Sequence, residues 1–211
     1  MMSPLTPPGV STSDLVKAVK VIQQGGVVAF PTETYYGLAV DPFNEVALAR
    51  LFEIKKRPLG KAVLVLVNGK EQLLHLVQQV TPLFQPLMDK FWPGPLTLVF
   101  PALPLLSQFL TGGTGTIGVR LSSHIVAGCL LSCLDTPVTA TSANLSGCEP
   151  AANAAQVEAQ FGNAVDFILD GGQTPGGKGS TLVGCGDDGS CILLREGVIP
   201  FAQVESVVKM N

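Results

Sequence analysis

The sequence is poor in charged residues and contains no long apolar run. Charged side chains make up only 14% of the 211 residues, whereas 46% are apolar. This composition is typical of globular proteins and lies outside the range of disordered chains. No run reaches the length that a membrane-spanning helix requires, and residues 1–13 lack the basic start and apolar core of a signal peptide. We therefore expect a cytoplasmic protein with no membrane association.

Cysteine and histidine are too few and too scattered to indicate a metal site. The five cysteines show no C-x-x-C spacing, and the chain contains two histidines. An odd number of cysteines without a secretory signal predicts reduced thiols. Cys129 and Cys133, four residues apart on one face of a predicted helix, are interpreted as core residues. We therefore expect no metal ion held by the protein itself.

Positive charge is scarce overall but concentrated in one segment. The net charge is −3, yet residues 55–61 (KKRPLGK) contain four of the thirteen lysines and arginines. An anionic partner would account for this cluster. The alternative is a solvated helix end, where cations complement the helix dipole. The weakly acidic total argues against a general nucleic-acid binder.

Alternating helical and strand patterns predict an α/β fold. Helices are predicted at residues 11–24, 44–56, 71–80, 82–91, 123–134 and 153–161, with a last one from Pro200, and Asn44, Thr81 and Asn153 are predicted N-caps. Strands are predicted at residues 27–31, 62–67, 96–100, 116–121, 137–140 and 165–169, followed by a hairpin of residues 181–185 and 191–195. We expect a loose N-terminal arm (1–13) and one domain (14–211) with a twisted, mixed parallel/antiparallel sheet flanked by helices.

Polar side chains follow or interrupt several predicted strands. Residues 32–37 (TETYYG) and 141–147 (TSANLSG) form hydroxyl-rich loops after strands, and such loops commonly carry binding groups. Arg120 lies within a strand pattern, where a charge either points outward to water or reaches into a cleft, and the outward orientation is the usual one for a single arginine. His75 and His124 lie among apolar neighbours and are predicted to be structural. The available lysine, arginine, hydroxyl and amide groups suit electrostatic binding of a polyanion better than nucleophilic catalysis.

One glycine-rich segment resembles a phosphate-binding loop without meeting its requirements. Residues 172–179 (GQTPGGKG) nearly match G-x-x-x-x-G-K-[ST], but Gly179 stands where a hydroxyl residue is needed. The following residues, 180–183, form a strand pattern instead of the helix whose N-terminus would hold phosphate. We therefore reject the P-loop interpretation.

Eight motifs, in the family's order from Gly25 onward, resemble the YrdC-type family. They are VVAFPTETYYGLAVD (27–41), KKRP (55–58), WPGPLTL (92–98), TIGVR (116–120), SANLSG (142–147), DGG (170–172), ST (180–181) and LREGVI (194–199). Members are L-threonylcarbamoyladenylate synthases, which join L-threonine, bicarbonate and ATP and release pyrophosphate. The product supplies the threonylcarbamoyl group of adenosine 37 in tRNA. The resemblance implies this activity, in the short form without a C-terminal extension, with a downstream tRNA threonylcarbamoyl transferase as partner.

The resemblance also implies roles for individual residues. Those implied at ATP, which would bring Mg²⁺ with it, are Lys55, Arg57, Lys61, Thr116, Ser142, Asn144 and Arg195, with Lys55 and Arg57 as the implied catalytic pair. Those implied at L-threonine are Thr32, Thr34, Arg120 and Ser180. The sequence departs from the family's pattern at three places: Thr141 replaces a usual proline, Ala62-Val63 a usual Pro-Leu, and Tyr35 a usual aliphatic residue.

The sequence alone leaves two other functions open. One is a non-catalytic RNA-binding module, in which the basic cluster makes a weak contact with RNA phosphates, although sparse aromatic residues count against it. The other is the carbamoyl-adenylate step of a maturation factor. Proteins of that type are much longer and carry zinc-finger and acylphosphatase-like modules that this sequence lacks.

Overall fold

The computed structural model describes residue 7 and residues 9–210, so residues 1–6 and 8 of the predicted arm lie outside the described part. Its strands are β1 (Val28–Pro31), β2 (Tyr36–Ala39), β3 (Val65–Leu66), β4 (Leu96–Pro101), β5 (Thr116–Arg120), β6 (Val138–Thr139), β7 (Thr141–Ser142), β8 (Phe167–Ile168), β9 (Thr181–Cys185) and β10 (Cys191–Arg195). Its helices are α1 (Thr12–Gln23), α2 (Glu45–Lys55), α3 (Lys70–Leu74), α4 (Phe84–Phe91), α5 (Gln108–Thr111), α6 (Ile125–Leu134), α7 (Ala154–Phe161) and α8 (Phe201–Lys209), with a 3₁₀ turn at Gly162–Ala164.

The strands form two sheets of mixed direction. The smaller sheet has the order β7-β2-β1-β8, in which β1 pairs antiparallel with β2 and parallel with β8. The larger sheet has the order β10-β9-β4-β5-β3-β6, with β4–β9 and β3–β5 parallel and its other pairs antiparallel. The predicted α/β class, with mixed strand directions and flanking helices, is confirmed; the strands are divided between two sheets.

The two sheets are joined where β6 passes directly into β7. β6 belongs to the larger sheet and β7 to the smaller one, with Ala140 between them. The backbone N–H of Ala140 donates to Leu64 O over 2.8 Å, and that of Thr139 donates to Val40 O over 3.1 Å. This crossing holds the sheets against each other and places Ser142 at their junction.

Two groups of buried apolar side chains stabilise this arrangement. The larger cluster includes Leu98 and Phe100 of β4 and Val119 of β5, together with residues from α2, α4, α7 and α8. The smaller cluster joins α1 and α6 to one face of β1, with Leu130 fully buried in it. Because a strand alternates its side chains between faces, Val28 and Ala29 of β1 fall into different clusters.

Two of the three predicted helix N-caps are present in the structure. Asn44 and Asn153 cap α2 and α7 as predicted, their side chains accepting from Ala47 N and Gln156 N. The predicted cap at Thr81 is wrong, because α4 starts at Phe84 and has no side-chain cap.

The structure also differs from the predictions in the segment after α3 and in the loop after β1. The predicted helix 71–80 ends at Leu74, because Val77 forms a bridge with Ala102 and Gln78 N donates to Pro101 O. The predicted loop 32–37 ends at residue 35, because Tyr36 begins β2.

Candidate active site

A cavity of about 610 Å³ lies between the two sheets. Side chains reach it from the β1–β2 turn, the segment after α2, strands β4 and β5, the β7 strand and the β9–β10 hairpin. Eight of the eleven predicted site residues line it: Thr32, Thr34, Arg57, Thr116, Arg120, Ser142, Ser180 and Arg195. The structure therefore brings together residues that are up to 163 positions apart in the sequence. Lys55, Lys61 and Asn144 are not among the lining residues.

Arg120 is buried at the cavity wall, with 3% of its surface exposed, so the outward orientation expected for a lone strand charge is wrong. Its Nε lies 3.4 Å from Oε1 of Glu33, but within the described part neither of these two atoms has a hydrogen-bond partner. The other oxygen of Glu33 accepts a hydrogen bond from Ser122 Oγ. Burial lowers the pKa of Arg120 and the Glu33 charge acts against that effect, yet a guanidinium stays charged in proteins. A buried cation with unmet hydrogen-bonding capacity is suited to bind a carboxylate.

Buried hydroxyl groups line the cavity beside Arg120. Thr32 Oγ1 donates to Tyr35 O over 2.7 Å and lies 3.1 Å from Thr34 Oγ1. Also in the lining, Ser180 Oγ lies 2.8 Å from Thr97 Oγ1. Thr32, Thr34 and Ser180 are each at most 5% exposed. Buried hydroxyls fixed in this way can read a polar group on a small ligand.

Two further arginines are held in place by backbone carbonyls. Arg195 donates through Nε and Nη2 to Ser180 O, over 3.3 and 2.9 Å, and through Nη2 to Ser180 Oγ over 3.2 Å. Arg57 donates to Lys61 O over 3.1 Å and to Ala62 O over 2.6 Å. Burial lowers the pKa of both guanidinium groups. Both are thus preorganised cations beside the cavity.

Lys55 lies behind the cavity wall. It is 2% exposed, and its Nζ donates to Ser142 O and, over 2.7 Å, to Asn144 O. A backbone hydrogen bond joins the same two segments, since Ser146 N donates to Lys55 O over 3.0 Å. Burial, together with the positive charge of Arg57, lowers the pKa of Lys55 to about 7. Lys55 therefore braces the loop that carries Ser142.

Asn144 and Lys61 shape or flank the same region. Asn144 Oδ1 accepts from Ser142 Oγ over 2.6 Å, and its Nδ2 donates to Leu145 O and Cys148 O, each over 2.9 Å. Lys61 is exposed. Direct contact of Lys55, Lys61 and Asn144 with ATP stays a prediction.

The sequence did not single out Lys178 as a cavity residue, but Lys178 lines the cavity, as does Tyr35, whose departure from the family pattern predicted a changed pocket wall. Lys178 belongs to the segment that nearly matches a P-loop. The rejection of the P-loop interpretation is supported, because Thr181 begins strand β9 and not a helix. The lysine among glycines was the available signal, although the motif context pointed elsewhere. For Tyr35 the signal was its departure from the family's usual aliphatic residue.

The described residues offer no ready-made metal site. Within them, no group of three or more histidine, cysteine, aspartate or glutamate side chains is placed to hold a metal ion. His124 instead caps α6, its Nδ1 accepting from Val126 N over 3.3 Å, and burial lowers its pKa. His75 follows the last residue of α3.

Fold and cavity together define a two-sheet α/β domain with an arginine-lined cavity, a lining that suits a small anionic ligand. The sequence profile of the Sua5/YciO/YrdC family, described as "Telomere recombination", matches residues 20–197. The chain belongs to this family.

Curated relatives and a solved structure agree with that membership. The chain is 37% identical over 191 residues to a threonylcarbamoyl-AMP synthase of Pyrococcus abyssi, covering 90% of this chain and 56% of that protein. It is 42% identical over 151 residues to a threonylcarbamoyl-AMP synthase of Idiomarina loihiensis, covering 69% and 79%. The crystal structure of P. abyssi Sua5 complexed with L-threonine superposes with a TM-score of 0.87 at 36% identity, covering 92% of this chain and 56% of that one.

The chain spans little more than half the length of the Pyrococcus relative. Among the described helices, each is too short or too polar to cross a lipid bilayer.

Proposed function

We propose that the protein is a threonylcarbamoyl-AMP synthase, which forms L-threonylcarbamoyl-AMP and pyrophosphate from L-threonine, bicarbonate and ATP. The observation that carries the proposal is the buried Arg120 guanidinium, whose Nε has no hydrogen-bond partner among the described residues, at a cavity lined by buried hydroxyls. The names of the relatives and the L-threonine bound to P. abyssi Sua5 support the same substrate.

L-threonine fits the part of the cavity around Arg120. Its carboxylate would complete the hydrogen bonding of the guanidinium, and a charge-assisted pair of this kind is stronger than a neutral hydrogen bond. The β-hydroxyl would meet Thr32, Thr34 or Ser180, which are buried and already oriented. These four residues are the proposed L-threonine site, as the family resemblance implies.

ATP fits the part of the cavity with Arg57, Thr116, Ser142 and Arg195. The threonine amine and bicarbonate would form a carbamate with loss of water. A carbamate oxygen then attacks the α-phosphorus. The bond between the α-phosphorus and the oxygen that bridges it to the β-phosphate breaks, and pyrophosphate leaves with that oxygen. Preorganised guanidinium groups stabilise the negative charge that develops on pyrophosphate without any protein nucleophile. Mg²⁺ would enter bound to the ATP phosphates, as part of the substrate.

The proposed role of Lys55 differs from direct binding. Its ammonium is directed at Ser142 O and Asn144 O, so it would act by fixing the loop that carries Ser142.

The product would pass to a tRNA threonylcarbamoyl transferase in the cytoplasm. Residues 14–211 would form a single catalytic domain.

The test is an assay of pyrophosphate release and product mass with ATP, bicarbonate and either L-threonine, L-serine or L-alanine. We expect kcat/KM for serine to fall about 10- to 200-fold below that for threonine, because only a methyl group is lost. For alanine we expect a fall of roughly 10⁴-fold, because a site built to hydrogen-bond a substrate hydroxyl rejects an analogue that lacks it.

Three outcomes would contradict this proposal. Pyrophosphate release that does not depend on threonine would exclude the synthase. Activity with carbamoyl phosphate in place of bicarbonate and threonine would favour the maturation-factor alternative. Tight RNA binding with no turnover would favour the RNA-binding module.

A further inference from the structure

The glycine-rich segment that failed as a P-loop contributes two residues to the cavity lining. We call residues 176–179 (GGKG) the strap; its Lys178 and Gly179 line the cavity. Gly176 and Gly177 have φ angles of 65° and 76°, a region that side chains disfavour. These two glycines allow the backbone to turn tightly before Lys178.

Both ends of the strap are fixed by hydrogen bonds, the first of them to cavity-lining residues. At the first end, the Tyr35 hydroxyl donates to Gly177 O over 2.8 Å and Gly176 N donates to Thr34 O over 2.8 Å. At the second end, Val198 N donates to Gly179 O over 3.0 Å. The backbone position of Lys178 is therefore set by contacts on either side of it.

The side chain of Lys178 differs from the arginines of the cavity, because those have partners within the protein. It is exposed and forms neither an ion pair nor a hydrogen bond with any other described residue. Arg57 and Arg195 each donate to backbone carbonyls, and Arg120 lies against Glu33. Lys178 thus offers three ammonium donors and a full charge to a ligand.

We propose that Lys178 binds the polyphosphate of a nucleoside triphosphate and that Tyr35 positions it by anchoring the strap. A polyphosphate is the ligand of choice because the cavity already presents Arg57 and Arg195, and a mobile ammonium can follow phosphate oxygens as they move. The proposal rests on the proposed function for the identity of the ligand. The opposing interpretation is a solvated surface lysine that contributes nothing.

Binding of ATP by calorimetry tests the role of Lys178. Lys178→Met should weaken binding about tenfold, the loss typical of one charge-assisted contact. Lys178→Arg should restore the affinity to within about threefold, because it keeps the charge. The control is Lys70→Met, which removes the same charge from an exposed position on α3 outside the cavity; it should bind ATP as the wild type does. Equal affinities of Lys178→Met and the wild type would overturn the proposal.

A double-mutant cycle tests the role of Tyr35. Tyr35→Phe removes only the hydroxyl that contacts Gly177, and should weaken ATP binding about threefold in the wild-type background. In the Lys178→Met background the same change should have less than a twofold effect, because the lysine that Tyr35 positions is absent. A merely structural role would give equal effects in the two backgrounds and would overturn the positioning.

The two proposals can fail separately. If the wild type makes product and Lys178→Met retains its ATP affinity and its kcat/KM for ATP, the synthase stands and the Lys178 inference falls. If no product forms but ATP or inorganic triphosphate binds in a Lys178-dependent manner, the inference stands and the synthase falls. If the wild type binds neither ligand, the inference falls.

Discussion

Lys55 and Arg120 are both buried cations, but their surroundings give them different roles. The ammonium of Lys55 is directed at two carbonyl oxygens of the 142–146 loop, so its hydrogen-bonding capacity is largely used. Arg120 has one carboxylate beside it, and its Nε lacks a hydrogen bond within the described part. Burying an incompletely paired charge costs free energy. An anionic ligand that completes the pairing offsets this cost at Arg120, whereas Lys55 can lose its proton instead, since burial lowers its pKa to about 7.

Arg120→Lys should separate binding of the amino acid from binding of the nucleotide. Lysine keeps the charge but lacks the planar fork that binds a carboxylate through two parallel hydrogen bonds. We expect the KM for L-threonine to rise about 10- to 100-fold and the KM for ATP to change less than about threefold, both measured by steady-state kinetics. Arg50→Lys is the matched control, because Arg50 binds Asp166 through two nitrogens outside the cavity. Equal rises in both KM values for Arg120→Lys would contradict the assignment.

Lys55→Met should change how stability depends on pH. The pKa of Lys55 is about 7 in the folded protein and roughly 10.4 in an unfolded chain. Between these values the unfolded state holds more protons, so the free energy of unfolding rises with pH. In urea titrations from pH 7.5 to 9, the wild type should gain on the order of 1 kcal/mol relative to Lys55→Met.

The control for this experiment is Lys90→Met, a lysine on the exposed side of α4. Its stability curve should run parallel to that of the wild type. If the curve of Lys55→Met also ran parallel, Lys55 would have an ordinary lysine titration, and burial would not lower its pKa.

At the scale of elements, the start of β9 is joined to the turn before α8 by one side chain. Thr181 is fully buried; its Oγ1 donates to Ile199 O over 2.6 Å and accepts from Gly197 N and Ile199 N over 3.1 and 3.0 Å. A Cβ at Gly197 would collide with the backbone of residues 179–181, which explains the glycine in the LREGVI motif. This contact fixes the start of the hairpin that carries Arg195, next to Ser180.

Thr181→Val should destabilise the protein by about 2 to 4 kcal/mol, because it leaves buried backbone groups without partners while keeping the shape. Thr81→Val makes the same chemical change at the position where the sequence predicted a helix cap and the structure has none. Its effect should stay below about 0.5 kcal/mol. Both values come from urea unfolding. A loss of about 1 kcal/mol for Thr81→Val would instead support the predicted cap.

At the scale of the whole molecule, β1 links the two apolar clusters. Val28 packs in the smaller cluster and Ala29 in the larger one, so the two clusters share a strand. Neither cluster can lose its packing without disturbing β1. We therefore expect the two clusters to unfold together.

Leu98→Ala and Leu130→Ala test this coupling, because the two leucines are fully buried in different clusters. Each should lower the free energy of unfolding by about 2 to 5 kcal/mol. Circular dichroism and the fluorescence of Trp92, the single tryptophan, should give coincident midpoints for both variants. Leu105→Ala, at a side chain 98% exposed, is the control without effect. If Leu130→Ala shifted the dichroism midpoint and left the fluorescence midpoint unchanged, the clusters would be independent.

The sequence by itself determined the features that depend on neighbouring residues. The hairpin of residues 181–185 and 191–195 has the bounds that its pattern predicts, and Asn44 and Asn153 cap their helices. Turn residues and helix caps act over a few positions, so their signals are complete within a short window. The family motifs likewise named eight residues that line the cavity.

Tertiary structure alone decided which way the charged side chains face and what they contact. Lys55 finds its acceptors 87 and 89 positions away, and the Tyr35 hydroxyl finds Gly177 at a separation of 142. Arg120 points into the protein because Glu33 and the cavity lie on that side of β5. Burial and the partners across the two sheets decide these orientations. Because those partners come from distant parts of the chain, local sequence periodicity cannot predict them.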